Sequence, residues 1–478
     1  MTDSLTDLTP EQREAFLDAV QDRLTARAGA DAIRPRDPAQ PAPASYSQRR
    51  HWFLDRLQPG NVAYNVPLVA RVRGPLDVAA LEAALVAVIE RHEVLRTTLH
   101  ELDGEPVQRV GPPPATVLAV ADPAEAADVA GWVRRVAFAP FDLSAGPLLR
   151  AALLAEAPDR HVLVLAAHHA VIDGWSLGLL LRELDAHYRA ARSGRPADVP
   201  ALEVQYADFA VWQRGRAAAD VRSDLDYWLD RLAGAPATLD LPADGGGGGG
   251  STDGGTVRLA LDPAAGRRIR ALCADTGTTP FMVLLAAAAD VLGRWAGSDD
   301  VVLGAPVVGR PRPEVEPLVG DFLNTLALRV GLDGDGLDFA TLLERVRRAG
   351  VDGYAHAALP FEQLVEAIQP ERSTSVSPIF QVLVNSTSTV PLGDRLGEAE
   401  LDLLDLADPP SKFPLTLYLR EDEDSGAFVL DAVFQSARYS PARMLLLLRQ
   451  VARLLDQVLA DPQRPLAECS LVLPGDPV

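Results

Sequence analysis

The stretch whose reading decides the architecture is HVLVLAAHHAVIDGWSLGLLLRELDAHY, residues 161–188. Residues 161–169 form an apolar run that reads as a buried strand. From Ser176 to Ala191 the spacing is helical, with Leu177, Leu180, Leu181, Leu184 and Tyr188 on one stripe. Gly194 and Pro196 stop that helix. Asp173 and Gly174 lie between as the turn, and the helix is predicted to open at Trp175 or Ser176. Successive strand side chains alternate faces, so His168 and His169 are predicted to point to opposite sides of the sheet.

Outward from this unit the same alternation of strand and helix recurs. VPLVARVR (66–73) reads as a strand, and Asp77 as the N-cap of a helix carrying Leu81, Leu85, Val88 and His92. Beyond residue 196, strands are predicted within 256–262, 301–308, 322–330, 378–388, 414–420 and 427–435. Helices are predicted over Tyr206–Arg214, Val221–Ala233, Pro263–Asp275, Pro280–Trp295, Phe339–His356 and Pro441–Leu459. This is the pattern of an α/β (α+β) protein of two lobes, one over 41–195 and one over 196–478. Residues 1–40 read as a leader, helical from Pro10 to Ala28 and then proline-rich. A site between the lobes is the default expectation. The Gly245–Gly250 run reads as a flexible loop, with no strand and helix placed to make it a phosphate cradle.

Composition narrows the chemistry. With 478 residues, 48% of them hydrophobic and 23% charged, the chain has the makeup of a globular protein. Its net charge of −21 argues against a general grip on nucleic acid or an anionic membrane. Cys273 and Cys469 are the only cysteines, which excludes a disulfide framework and a thiolate zinc cluster, and no HExxH motif is present. The amino terminus has no signal-peptide pattern, and the longest apolar stretch, Phe281–Ala289, is half the length of a membrane span. A cytoplasmic protein that needs no metal, contacts no membrane and acts as a monomer is expected. Lys412 is the only lysine.

One imidazole at a strand end, facing a turn and a helix amino terminus, suits proton handling near neutral pH. The Gly174 amide and the positive helix end could face a developing oxyanion. Taken alone, a strand-borne histidine pair is more often a core pair, Asp173 a cap and Gly174 a turn residue. The residues by themselves leave both readings open.

The segment HHAVIDG matches the HHxxxDG signature of the condensation domains of nonribosomal peptide synthetases, and DGWS continues it as in their peptide-bond-forming members. SYSQRRHWFLDRL (45–57) is similar to the family's SxAQxRLWFLxxL, with Tyr46 and Ser47 in place of the usual pair. RHEVLRTTL (91–99) resembles RHExLRTxF, FDLSAGPLLRA (141–151) resembles FDLxxGPLLR, and YADFAVWQR (206–214) resembles YxDYAxWQ. Residues 304–329 resemble GxPVAGRxxxExExLIGxFxNTLxLR. Residues 354–366 resemble YxHQDxPFExLVE with Ala357 for glutamine, and SPIFQVLVN corresponds to the last motif. The resemblance runs in order from about Ser45 to the end.

The resemblance implies two chloramphenicol-acetyltransferase-like lobes in a V, as a pseudo-dimer with the active site in a tunnel between them. It implies transfer of an acyl group from the phosphopantetheine thioester of a donor carrier protein to an acceptor. That acceptor is borne by a second carrier protein or is a free small-molecule amine or alcohol. No cofactor is bound directly, and the phosphopantetheine arm serves as substrate carrier. His169 matches the residue nearest the reacting amine, acting as base or as a positioning group, and Gly174 gives the backbone room beside the thioester. His168 is expected to be structural, and Asp173 to hold the loop through a salt bridge, with Arg310 as its partner. Asn324 and Ser377 are weaker candidates for the tunnel wall. Arg91 and Arg96 read as fold-holding ion pairs, and His51, His92, His100, His161, His187 and His356 as surface or packing residues. Heterocyclisation domains lack this motif; an epimerisation domain, or a noncatalytic member that recruits a partner protein, is the alternative.

Overall fold

The computed structural model describes residues 32–216, 218–245, 252–368, 378–386, 393–406, 408–421 and 427–473. The predicted leader helix, the glycines from 246 to 250 and Ser377 lie outside them. Among these residues two six-stranded sheets, each backed by helices, form the two lobes.

The first lobe contains β1 (Ala42–Pro43), α1 (Tyr46–Leu57), β2 (Asn65–Arg73), α2 (Val78–Arg91), β3 (Thr97–Leu102), β4 (Glu105–Val110) and β5 (Leu118–Val120). It continues with α3 (Val129–Ala137), β6 (Leu149–Ala157), β7 (Arg160–His168) and α4 (Gly174–Ser193). The second half adds α5 (Tyr206–Arg214), α6 (Ala218–Leu232), β8 (Gly254–Ala260), α7 (Pro263–Thr276), α8 (Pro280–Ala296), β9 (Asp300–Val307), β10 (Asn324–Gly331), α9 (Phe339–Ala355) and α10 (Phe361–Ile368). It ends with β11 (Val382–Ser386), β12 (Arg395–Leu396), β13 (Ala399–Leu403), β14 (Leu415–Glu421), β15 (Phe428–Gln435) and α11 (Pro441–Val458).

One sheet runs β12-β13-β2-β7-β6-β5 and the other β10-β9-β11-β14-β15-β8, with β1-β4-β3 as a small third sheet. Central strands are apolar on both faces, as a sheet covered on both sides requires. In β7, Leu163 and Leu165 join the core under α2 and α4, while Val162 and Val164 join the α3 core with Trp132 and Val133. The second lobe closes around α8, whose Ala286–Ala289 run is fully buried. Small side chains there let the helix lie close to the sheet. Among the described residues no single helix is long and apolar enough to cross a membrane.

The lobes do not divide at residue 195. β12 and β13 join the first sheet, with Leu401 opposite Val72 of β2. That strand pair covers an edge that β2 would otherwise present unpaired. Tyr206 and Phe209 of α5, with Val315, Leu318, Val319 and Phe322, also pack in the first lobe's core. The chain from 308 to 323 is therefore a crossover segment between the lobes.

Candidate active site

β7 ends at His168, and the next three residues, His169–Val171, form a tight helical turn. His168 Nδ1 accepts from the Ala170 amide at 3.1 Å, which ends the strand and fixes that ring's other nitrogen as the N–H. Strand alternation therefore does not carry through the pair. The predicted opposite-face arrangement is corrected: the His51 ring lies edge-on to His168 at 5.5 Å and stacks on His169 at 5.4 Å. Burial first, then His51 and His169, hold His168 well below the usual imidazole range, so it is neutral.

α1 supports this turn from below. Ser45 and Gln48 form a capping box at its start, and Gln48 Nε2 reaches the Ala170 carbonyl at 3.3 Å. Four residues later α4 begins. Asp173 is its N-cap, with Oδ1 accepting from the Ser176 amide at 2.8 Å and its hydroxyl at 2.6 Å.

The same carboxylate grips the crossover segment. Arg310 Nη2 donates to Asp173 Oδ1 at 3.2 Å, and the Phe322 amide donates to Oδ2 at 3.1 Å. Arg310 Nη1 spans the segment's own Val315 and Leu318 carbonyls at 2.6 and 2.8 Å, and its guanidinium lies 4.1 Å from the Phe322 ring. Ser176 Oγ accepts from the Gly320 amide at 3.1 Å and lies 2.9 Å from the Gly320 carbonyl. Both members of the Asp173–Arg310 pair are 2% exposed, which marks it as a buried structural pair. His92 belongs to the same support: its Nε2 lies 2.7 Å from Glu183, which Arg91 also grips at 3.0 Å, and its Nδ1 receives the Val319 amide. Arg96, expected in an ion pair, instead bonds the Gly111 and Glu90 carbonyls.

So held, the segment brings Asp321 against the histidines, a residue the sequence reading did not single out. Asp321 is 1% exposed. Its Oδ2 accepts from the Ser47 hydroxyl, lies 3.1 Å from His51 Nε2 and 3.4 Å from His169 Nδ1. Burial opposes ionisation of Asp321, but His169 and then His51 outweigh it and hold the carboxyl well below the usual range. Burial draws His51 down to about 3, so this ring is neutral and gives Asp321 an N–H rather than a charge. His51, read above as surface or packing, is thus part of the site. Ligand-type atoms of His51, His169 and Asp321 lie within 4.8 Å of one another, but the Asp321 oxygen between them already accepts from Ser47 and His51.

His169, with 12% of its side chain exposed, opens onto a cavity of about 2770 Å³ between the lobes. The wall includes Asp173, Gly174 and Trp175 from the first lobe and Leu383, Asn385 and Tyr418 from the second. Gly174 is the first residue of α4, and a side chain there would meet no protein atom within 4 Å. The open space at Gly174 belongs to the cavity. Lys412 lines this cavity with an accessible side chain, its ammonium 5.7 Å from the Tyr64 ring. Enclosure by protein draws it down to about 8. Asn324 is not among the lining residues. Its amide nitrogen bonds the Ala357 and Leu359 carbonyls and its oxygen receives the Thr325 and Phe361 amides, so the tunnel-wall expectation is corrected to that of a loop clasp.

Comparison with known proteins agrees with this geometry. The family model described as "Condensation domain" matches residues 39–476. Phosphinothricin tripeptide synthetase PhsC of Streptomyces viridochromogenes is 40% identical over 478 residues, covering 96% of this chain and 43% of the synthetase. The chain thus spans less than half the length of that relative. The crystal structure of the X-domain from teicoplanin biosynthesis superposes with a TM-score of 0.83 at 25% identity, covering 92% of this chain and all of the X-domain. The first condensation domain of the calcium-dependent antibiotic synthetase shares the fold, with a TM-score of 0.75 at 24% identity over 91% of this chain and all of that domain.

Proposed function

The chain belongs to the condensation-domain family of nonribosomal peptide synthetases, and from that premise we propose that it joins a carrier-bound acyl group to an acceptor amine. One observation carries this reading: His169 opens onto the cavity between the lobes beside Gly174, at the amino terminus of a 20-residue helix. An acyl thioester on a phosphopantetheine arm enters that cavity. The acceptor nitrogen attacks the thioester carbonyl, His169 takes its proton, the C–S bond breaks and the thiol leaves with a proton. The Gly174 amide and the positive end of α4 face the carbonyl oxygen as it gains charge. Chloramphenicol-acetyltransferase-like architecture, with two lobes flanking one site, suits a reaction whose two substrates arrive on separate partners.

An amide product is favoured over an ester by the relative PhsC, whose name makes it a tripeptide synthetase. The partners are a donor carrier protein and an amine, carrier-borne or free. A second reading, recruitment of a partner protein without catalysis, is favoured by the X-domain, whose structure in complex with OxyB is also similar to this chain. Incubation with acyl-loaded carrier proteins and a panel of amines, followed by intact mass measurement, separates the two. Loss of the acyl group from the carrier with a matching amide product supports transfer. An untouched carrier across the whole panel, with stable capture of a second protein, supports recruitment.

A further inference from the structure

Asp321 is held more tightly than a loop residue needs to be. The residues on both sides of it are pinned, Gly320 to Ser176 and Phe322 to Asp173, and its own carbonyl accepts from Tyr206 Oη at 2.6 Å. Its side chain is clamped by Ser47 and His51, which sit one turn apart on α1. In the family segment quoted above, those two positions are alanine and leucine. Here those two positions present a hydroxyl and a neutral imidazole to a buried carboxylate, and burying such groups is costly unless they are used or fully bonded. The remaining contact of Asp321 Oδ2 points at His169 Nδ1, a fully buried ring atom, so the exposure of that ring belongs to its other edge.

We propose that Asp321 is a positioning residue for His169: it receives the Nδ1–H and leaves Nε2 unprotonated, facing the cavity as the proton acceptor. This rests on the acyl-transfer reading and deepens it. The separation of 3.4 Å is long for a made hydrogen bond, as such contacts commonly are before substrate binds. During the reaction the acceptor proton passes to Nε2 as the new C–N bond forms, and Nε2 returns a proton to the departing sulfur. The imidazole ends as it began. Asp321 stays ionised throughout and stabilises the transient imidazolium, the role a buried aspartate plays behind a catalytic histidine elsewhere. His51 and Ser47 keep the carboxylate from rotating away. Charged and titratable groups around the pair include Arg50, His51, His168, Tyr206, Arg310 and Lys412, with Tyr64 beyond.

The test reads the tautomer directly. The full chain is labelled with ring-¹⁵N histidine, and the His169 signals are assigned by their loss in His169→Ala. The wild type should show His169 with the proton on Nδ1. Asp321→Asn should remove that bias and lower kcat about 10- to 100-fold with KM for a small thioester donor little changed. His51→Leu, which loosens the clamp without removing the charge, should cause a smaller loss of the same kind. Should Asp321→Asn fail to fold, the wild-type tautomer and His51→Leu still decide. A wild-type His169 protonated on Nε2, or an unchanged tautomer and kcat in a folded Asp321→Asn, overturns the proposal. The tautomer needs no turnover, so a chain that transfers nothing would sink the functional reading and leave this measurement standing.

Discussion

Asp173 Oδ1 accepts from Arg310 Nη2 at 3.2 Å, across 137 residues of sequence. Both oxygens of this motif aspartate are taken up by structural bonds. It joins the first turn of α4 to the crossover segment that carries Asp321.

Breaking that pair should unfold before it merely inactivates. Asp173→Ala strands a guanidinium that is 2% exposed, for which roughly 3–5 kcal/mol is typical. Thermal melting should show a large drop, with activity falling at temperatures where the variant remains folded. An unchanged melting temperature would remove the structural assignment of Asp173.

Gly174 should behave in the opposite way. A side chain at this position meets no protein atom within 4 Å, so Gly174→Val should melt within about 1 kcal/mol of the wild type. The added atoms enter the cavity where the thioester must lie. Turnover should fall most for bulky donors, and equal loss with the smallest acyl group would argue that the space at Gly174 is not the donor's.

Lys412 gives a pH-dependent signal. Its folded value of about 8 lies below its ordinary 10.5. Between those values the unfolded chain holds a proton that the folded chain has released, so the Lys412 contribution to stability should rise with pH across that window. Lys412→Met should abolish that rise, as read in denaturant titrations at several pH values. Amine-directed labelling with peptide mass analysis should modify Lys412 with a midpoint near pH 8 in the folded chain. A midpoint near 10.5 would place the ammonium in open solvent.

Much of this was legible in the sequence because it is local. The apolar run of β7, the stripe of α4 and the Asp173 cap are set by neighbours a few residues apart. Strand alternation stops before His169 because the His168 side chain ends the strand by bonding the Ala170 amide, a detail that periodicity does not carry. β13 was missed although Ala399 to Leu403 alternates, since five residues, two of them acidic, do not announce a partner in the other lobe. His51 and Asp321 were missed for the plainest reason: they meet across 270 residues, and no spacing links them. A signal did exist. Ser47 and His51 are polar residues four apart on a helix whose family counterparts are apolar, and such a pair on one buried face asks for a polar partner.

The most direct measurement is a single-turnover assay with an acyl-loaded carrier protein and an accepted amine, read by intact mass, for the wild type and His169→Ala. The account predicts amide formation by the wild type and a rate lower by about 100- to 10,000-fold in the variant, with the fold intact. A folded His169→Ala retaining more than about a tenth of the wild-type rate would contradict it, since removing a general base typically costs about 100-fold or more.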